Sequence, residues 1–289
     1  MERQLWPVVL TLIDAVSQAP TNRRFTFSAA DIARVYLWAV LHDRPTYWAC
    51  QPENWPAELR PARLPVPSTL SRRLRRPALL ELLESLQQRL RRRGARGLMH
   101  YVDGKPLSVR PHTRDPEARK GWAGGGYAKG YKLHLIGRSP AEVRAWEVTP
   151  MNASEPRTAA RLVRQARIQG YLLGDANYDT NALHAACRQV GLQLVAPRRH
   201  GAGRGLGHRR HDPGRLRCID MLENSLTGFG PQLHRQRPNI ERQLGSYSSA
   251  SYGIAVLPPW VRRLHRVKLW VGAKLTFLLL YHQRLRRAK

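Results

Sequence analysis

Leu98-Met99-His100-Tyr101-Val102-Asp103-Gly104 marks the point where the chain changes character. An apolar run that ends in Asp-Gly reads as a short strand followed by a turn. Beyond it, residues 131–136 (Tyr-Lys-Leu-His-Leu-Ile) alternate as a strand, and 145–149 form a third. A helical stretch over 155–169, a strand over 171–173, a helix over 181–190 and a strand over 192–196 follow. Early strands succeeded by β-α-β-α-β predict an α/β domain around a central mixed sheet.

The residues before this point read differently. Leu5, Val8, Val9, Leu12, Ile13 and Val16 recur at helical spacing. Ser28 signals the start of a second helix carrying Ile32, Val35, Tyr36, Trp38 and Leu41. Residues 51–67 are Pro-rich and loop-like. Pro67-Ser68-Thr69 caps a basic helix containing Arg72, Arg73, Arg75 and Arg76, and Pro77 opens another with a leucine stripe. The expected organisation is a helical domain over 1–97 and an α/β domain over 98–289.

Charge narrows the function. Among 289 residues, 49 Lys+Arg face 20 Asp+Glu, a net charge of +29. Such a surplus repels itself in a compact fold unless a polyanion is the usual partner, and nucleic acid is the evident one. Arg outnumbers Lys, and Arg grips phosphate through a planar fork. Residues 198–217 are rich in Arg and Gly and read as a basic loop ordered only on DNA. The basic 70–76 helix is a candidate reader of DNA ends. Trp122, in the Gly-rich stretch 121–126, is a candidate base-stacking group. Cys50, Cys187 and Cys218 form no CxxC pair, which fits a reducing compartment. The apolar stretch 269–281 is short and interrupted by Lys274, so no membrane span is expected. A cytoplasmic, nucleoid-associated protein follows.

In a basic chain, carboxylates near strand ends stand out. Asp103 ends the first strand, and Asp175 follows the strand over 171–173. Ligands of open α/β sheets gather beyond strand ends. Phosphoryl transfer on DNA relies on divalent ions held by a few carboxylates. Asp179 reads as the N-cap of the 181–190 helix, and His134 as a structural strand residue. For a third carboxylate, Glu223 and Glu241 both follow Asp175. Glu241 is preferred because Arg237 and Arg242 flank it and hold it ionised, and because no acidic residue follows it.

Four motifs in order carry a resemblance: Tyr101-Val102-Asp103-Gly104-Lys105-Pro106-Leu107, Lys129-Gly130-Tyr131-Lys132-Leu133-His134, Gly174-Asp175-Ala176-Asn177-Tyr178-Asp179 and Asn239-Ile240-Glu241-Arg242. Over residues 98–289 the chain resembles the DDE domain of bacterial insertion-sequence transposases. That resemblance implies a ribonuclease H-like fold and catalytic, metal-holding roles for Asp103, Asp175 and Glu241. It implies Mg²⁺, with Mn²⁺ as a substitute and two ions in the site. It also implies DNA partners at transposon ends and target, and a homo-oligomer assembled on DNA. Lys129, Lys132, Arg237 and Arg242 join the four arginines of 72–76 as expected DNA contacts. Around the glutamate, many relatives carry Tyr-x2-Arg-x3-Glu-x6-Lys; the positions here are His234, Arg237, Glu241 and Ser248, so Arg and Glu match. Two alternatives share these features: a non-catalytic or decayed DNA-binding protein, and a metal-dependent nuclease of the same fold.

Overall fold

The computed structural model describes residues 2–17, 26–91, 97–139, 142–200, 205–208, 210–224, 226–249, 253–254 and 256–287. In chain order the helices and strands are α1 (Glu2–Val16), α2 (Ala29–Leu41), α3 (Pro67–Arg73), α4 (Pro77–Arg91), β1 (Met99–Ser108), β2 (Arg119–Trp122), β3 (Tyr127–Ser139), β4 (Glu142–Pro150), α5 (Glu155–Ala166), β5 (Gly170–Leu173), α6 (Asn181–Gln189), β6 (Leu192–Val195), α7 (Pro213–Ile219), α8 (Phe229–His234), α9 (Pro238–Ser249) and α10 (Leu264–Arg287). The chain divides into two compact units, one of residues 1–93 with 248–289 and one of residues 94–247.

The 94–247 unit is the α/β body. Its sheet runs β4-β3-β1-β5-β6, with β2 pairing the first residues of β3. β3 is antiparallel to both β1 and β4, whereas β1, β5 and β6 are parallel. This order and polarity are those of the expected ribonuclease H-like sheet. The helices α5 and α6 are amphipathic, and their apolar faces cover the parallel half. Ala159, Leu162, Val163, Leu183 and Cys187 join Val102, Leu172 and Leu194 in one buried cluster. Each large aliphatic side chain so buried contributes about 1.5–3 kcal/mol. α6 is capped by Thr180, whose hydroxyl accepts from Leu183 N; Asp179, the residue expected to cap it, serves elsewhere.

Three further sequence expectations change inside this unit. Asp103-Gly104 is not a turn: β1 continues to Ser108, and Asp103 pairs with Leu135 of β3. Gly104 is there for space, because an added Cβ would lie 3.0 Å from Lys132 Cδ and 3.5 Å from the Glu155 carboxylate. The basic loop expected over 198–217 contains the start of α7. Asp212 caps that helix by accepting from Gly214 N at 2.8 Å, and Arg188 Nη2 reaches Asp212 at 3.2 Å. Residues 201–204 and 209, which include Arg204 and Arg209, lie outside the described residues. Trp122 likewise belongs to a strand, at the tip of the β2–β3 hairpin rather than in an open loop.

The other unit is helical. Ser28 and Asp31 close a capping box on α2, satisfying two backbone donors that a helix start leaves unpaired. Trp6, Trp38 and Trp55 are buried together, with Trp38 and Trp55 stacked at 4.4 Å. α3 begins at Pro67 with Val66 as its cap, earlier than the Ser-Thr cap expected, and ends at Arg73. The C-terminal helix α10, expected to belong with the α/β body, packs here instead: Gln87 of α4 donates to Gly272 O at 2.8 Å. Its Lys274 is fully buried and pairs with Asp43 at 2.7 Å, so the charge inside that apolar run is neutralised within the fold. Among the described residues, no helix is long and apolar enough to cross a membrane.

Candidate active site

Strand register brings the first two carboxylates together. β1 and β5 are parallel, and their pairing ends at Tyr101↔Leu173. Asp103 and Asp175 each lie just past that pair on neighbouring strand paths, at the carboxyl end of the parallel strands. Asp175 caps the single helical turn Ala176–Tyr178 by accepting from Asn177 N at 2.8 Å. Asp103 is half-buried and accepts from Gly104 N at 2.7 Å. Burial pushes the Asp103 carboxyl up to about 6, with the charges of Asp175 and Glu155 adding to the rise. The Gly104 amide and Arg237 oppose it.

Arg237 connects this pair to the third candidate. Its Nη2 lies 3.9 Å from Asp175 Oδ2 and 3.4 Å from Glu241 Oε1. Asn239 Nδ2 donates to Tyr101 Oη at 3.1 Å, which ties the start of α9 to β1. Glu241 is 60% exposed and remains on the outer side of Arg237. Asp103 and Asp175 are therefore brought together, while Glu241 approaches through an arginine. Among the described residues, no group of three or more acidic, His or Cys side chains is arranged to hold an ion. The competing Glu223 is engaged elsewhere: Arg198 grips it with Nε–Oε1 at 2.6 Å and Nη2–Oε2 at 2.5 Å.

Sequence reasoning missed Glu155. It is the first residue of α5, where a negative charge is favoured by the helix dipole. Its carboxylate forms a tight ion pair with Lys132 Nζ and accepts from Asn177 Nδ2 at 3.2 Å. Glu155 thus sits against Gly104 and joins the acidic field around Asp103. Tyr178 is fully buried nearby, and burial together with the charges of Glu155, Asp103 and Asp175 keeps its phenol neutral. A carboxylate after Met-Asn-Ala-Ser carries no pattern of its own; only the fold reveals its neighbours.

The remaining expected residues divide. Lys132 is 6% exposed and belongs to Glu155, and Lys129 Nζ donates to Thr113 O at 2.9 Å, so both cations are committed within the protein. Arg242 is exposed and donates to Asn239 Oδ1. Arg72 is exposed on α3, and Arg75 and Arg76 are exposed in the turn to α4; Arg73 is half-buried. These four belong to the helical unit. His134 is buried, its Nε2 2.8 Å from Thr149 Oγ1, and burial lowers its pKa to about 4, the neutral structural role expected. Asp179 pins α7: Arg215 Nε and Nη2 both reach its carboxylate at 2.7 Å.

A family model described as a transposase DDE domain matches residues 101–256, more than half of the chain. The chain belongs to the transposase DDE domain family. The match spans Asp103, Asp175 and Glu241, together with the sheet from Tyr101 of β1 through β6. No protein of curated function and no solved structure matches the chain. Membership makes this a transposase-class protein, one that processes DNA, and the ribonuclease H-like sheet is the body on which that domain is built.

Proposed function

We propose that this transposase cuts DNA at transposon ends and joins the freed 3′ ends to target DNA, using Asp103, Asp175 and Glu241. The observation that carries the reading is that Asp103 and Asp175 both lie two residues past the last β1–β5 register pair, Tyr101↔Leu173, inside a strongly basic protein. The donor set is all oxygen, which suits a hard cation such as Mg²⁺, with Mn²⁺ as a substitute. Asp103 supports that fit: it is a half-buried carboxylate beside two other acids, and a bound cation would favour its charged form. Two ions, held by these carboxylates, would activate the attacking oxygen and stabilise the leaving one.

The rest of the reading concerns this chain's own groups. Gly104 leaves room for the Glu155–Lys132 pair against β1, and the Gly104 amide holds the Asp103 carboxylate. Arg237 sits between Asp175 and Glu241, where it can exchange its carboxylate contacts for a DNA phosphate. Arg242 adds a second phosphate contact on the same helix. The arginines at 72, 73, 75 and 76 supply DNA affinity from the helical unit, and the working assembly is a homo-oligomer on DNA in the cytoplasm. The domain roles follow: DNA capture by the helices and chemistry by the α/β body.

The choice of third carboxylate separates two outcomes. Glu241→Gln should lose Mg²⁺-dependent cleavage of end-bearing DNA by about a hundredfold or more, the scale of losing one transition-state charge stabiliser. Glu223→Gln should keep most activity, because its carboxylate is already occupied by Arg198. Parallel cleavage assays on both variants test this, and the reverse pattern overturns the assignment of Glu241.

A further inference from the structure

Beside the carboxylates runs a groove of about 500 Å³, bounded by the β2–β3 hairpin, the start of α5 and the start of α6. Pockets of roughly 300–1,000 Å³ take single small ligands, so this one has room for a nucleotide but not for a duplex. Trp122 and Tyr127 line it at the hairpin tip; they are 56% and 81% exposed, and their rings meet edge-to-face at 5.8 Å. Folding does not require large aromatic rings to stay in water, and the mechanism above makes no use of them. Lys120, Arg157 and Arg199 line the same groove. Among the described residues, none of these three forms a salt bridge with a carboxylate, in contrast to Lys132 on the inner wall. Glu155 and Asn177 line it as well, and the Asn177 backbone amide donates to Asp175, so the groove adjoins the turn that carries Asp175.

We infer that this groove holds an unpaired stretch of the DNA strand, with a base stacked on Trp122 and Tyr127 and flanking phosphates on Lys120, Arg157 and Arg199. The chemistry is that of single-strand binding sites: aromatic faces accept any base, and a line of cations tracks the backbone. A duplex offers its bases only at their edges, so it cannot use the two rings. The inference rests on the reading of Asp103 and Asp175 as the DNA-cutting site, and it adds a place for an unpaired strand next to the Asp175 turn.

The test is equilibrium binding to the full chain, without divalent metal, of a labelled oligothymidylate and of a labelled duplex. The Trp122→Ala/Tyr127→Ala double variant should bind the oligothymidylate about tenfold or more weakly, the scale of losing a stacked base, with duplex affinity within about twofold of wild type. Trp122→Phe/Tyr127→Phe should retain most single-strand affinity, which separates stacking from folding. Lys120→Gln/Arg157→Gln should weaken single-strand binding and flatten its salt dependence. Oligothymidylate affinity unchanged in the alanine variant, or an equal loss on both DNAs, overturns the inference. Because no cleavage is measured, these results stand apart from the carboxylate assignment, whose own failure would show as normal cleavage by Asp103→Asn.

Discussion

Asp103→Asn should bind DNA as wild type does and cut it on the order of a thousandfold more slowly, or not measurably. The asparagine keeps the size and can still accept from Gly104 N, so β1 and its pairing with β3 survive. What is lost is a full negative charge in the place where burial and two neighbouring acids already make such a charge costly. A protein tolerates that cost when a cation is to be held there. Removing the charge removes a holder of transition-state charge, and effects of that kind on rate are large. Binding should be spared because phosphate contacts by exposed arginines dominate affinity. Asp175→Asn should behave alike. Gel-based cleavage and filter binding on the same preparations give both numbers, and near wild-type cleavage by either variant would remove Asp103 and Asp175 from the mechanism.

The second large effect is on stability. Asp179 has only 2% of its side chain exposed, and Arg215 of α7 meets both of its oxygens. Breaking a buried pair by deleting one partner costs about 3–5 kcal/mol, because the other charge is left without compensation. Arg215→Ala should therefore destabilise the protein by about 3 kcal/mol, lowering the melting temperature by roughly 6–12 °C for a unit of this size. The pH dependence has a definite sign. Burial alone would raise the Asp179 pKa, but hydrogen bonds from Arg215 and His184 outweigh it and hold the carboxyl well below the usual carboxylate range. A folded-state pKa below the unfolded value, about 3.9, stabilises the protein fully above that value and progressively less as pH falls below it. The gap between wild type and Arg215→Ala should thus be widest at neutral pH and narrow below about pH 4. Urea melts at neutral and acidic pH measure both; an Arg215→Ala midpoint equal to wild type at neutral pH would show that α7 is not held by this pair.

How far the sequence could be read depended on whether the signal was local. Alternation over 131–136 and the two helix-strand repeats after 155 are local, and they led directly to β3, α5, β5, α6 and β6. The places of Asp103 and Asp175 after apolar strand runs were legible, but that β1 and β5 are parallel neighbours, which sets the two residues side by side, emerged only from the fold. The passage of β1 through Asp103-Gly104 was hidden, since Asp-Gly is a turn signal unless a partner strand continues alongside, and here β3 does. α7 was hidden in the same way: Arg and Gly around it suggest open loop, and the anchors that order it, Asp179 and Arg188, are distant in sequence. The C-terminal helix was assigned to the wrong neighbour because an apolar stripe shows that a helix packs, not against what. Glu155 needed the packing of α5 beside Gly104 to become visible.

On the proposed function, these carboxylates perform metal-dependent DNA cutting and joining. The most direct measurement is strand transfer: labelled DNA bearing the element's ends is incubated with supercoiled target plasmid, with Mg²⁺ or with chelator, using wild type and Asp175→Asn. The predicted result is labelled plasmid only with wild type and Mg²⁺, and none from ends blocked at the 3′-hydroxyl. Joined product in chelator, joined product from Asp175→Asn, or Mg²⁺-dependent cutting with no joining at all would contradict the account.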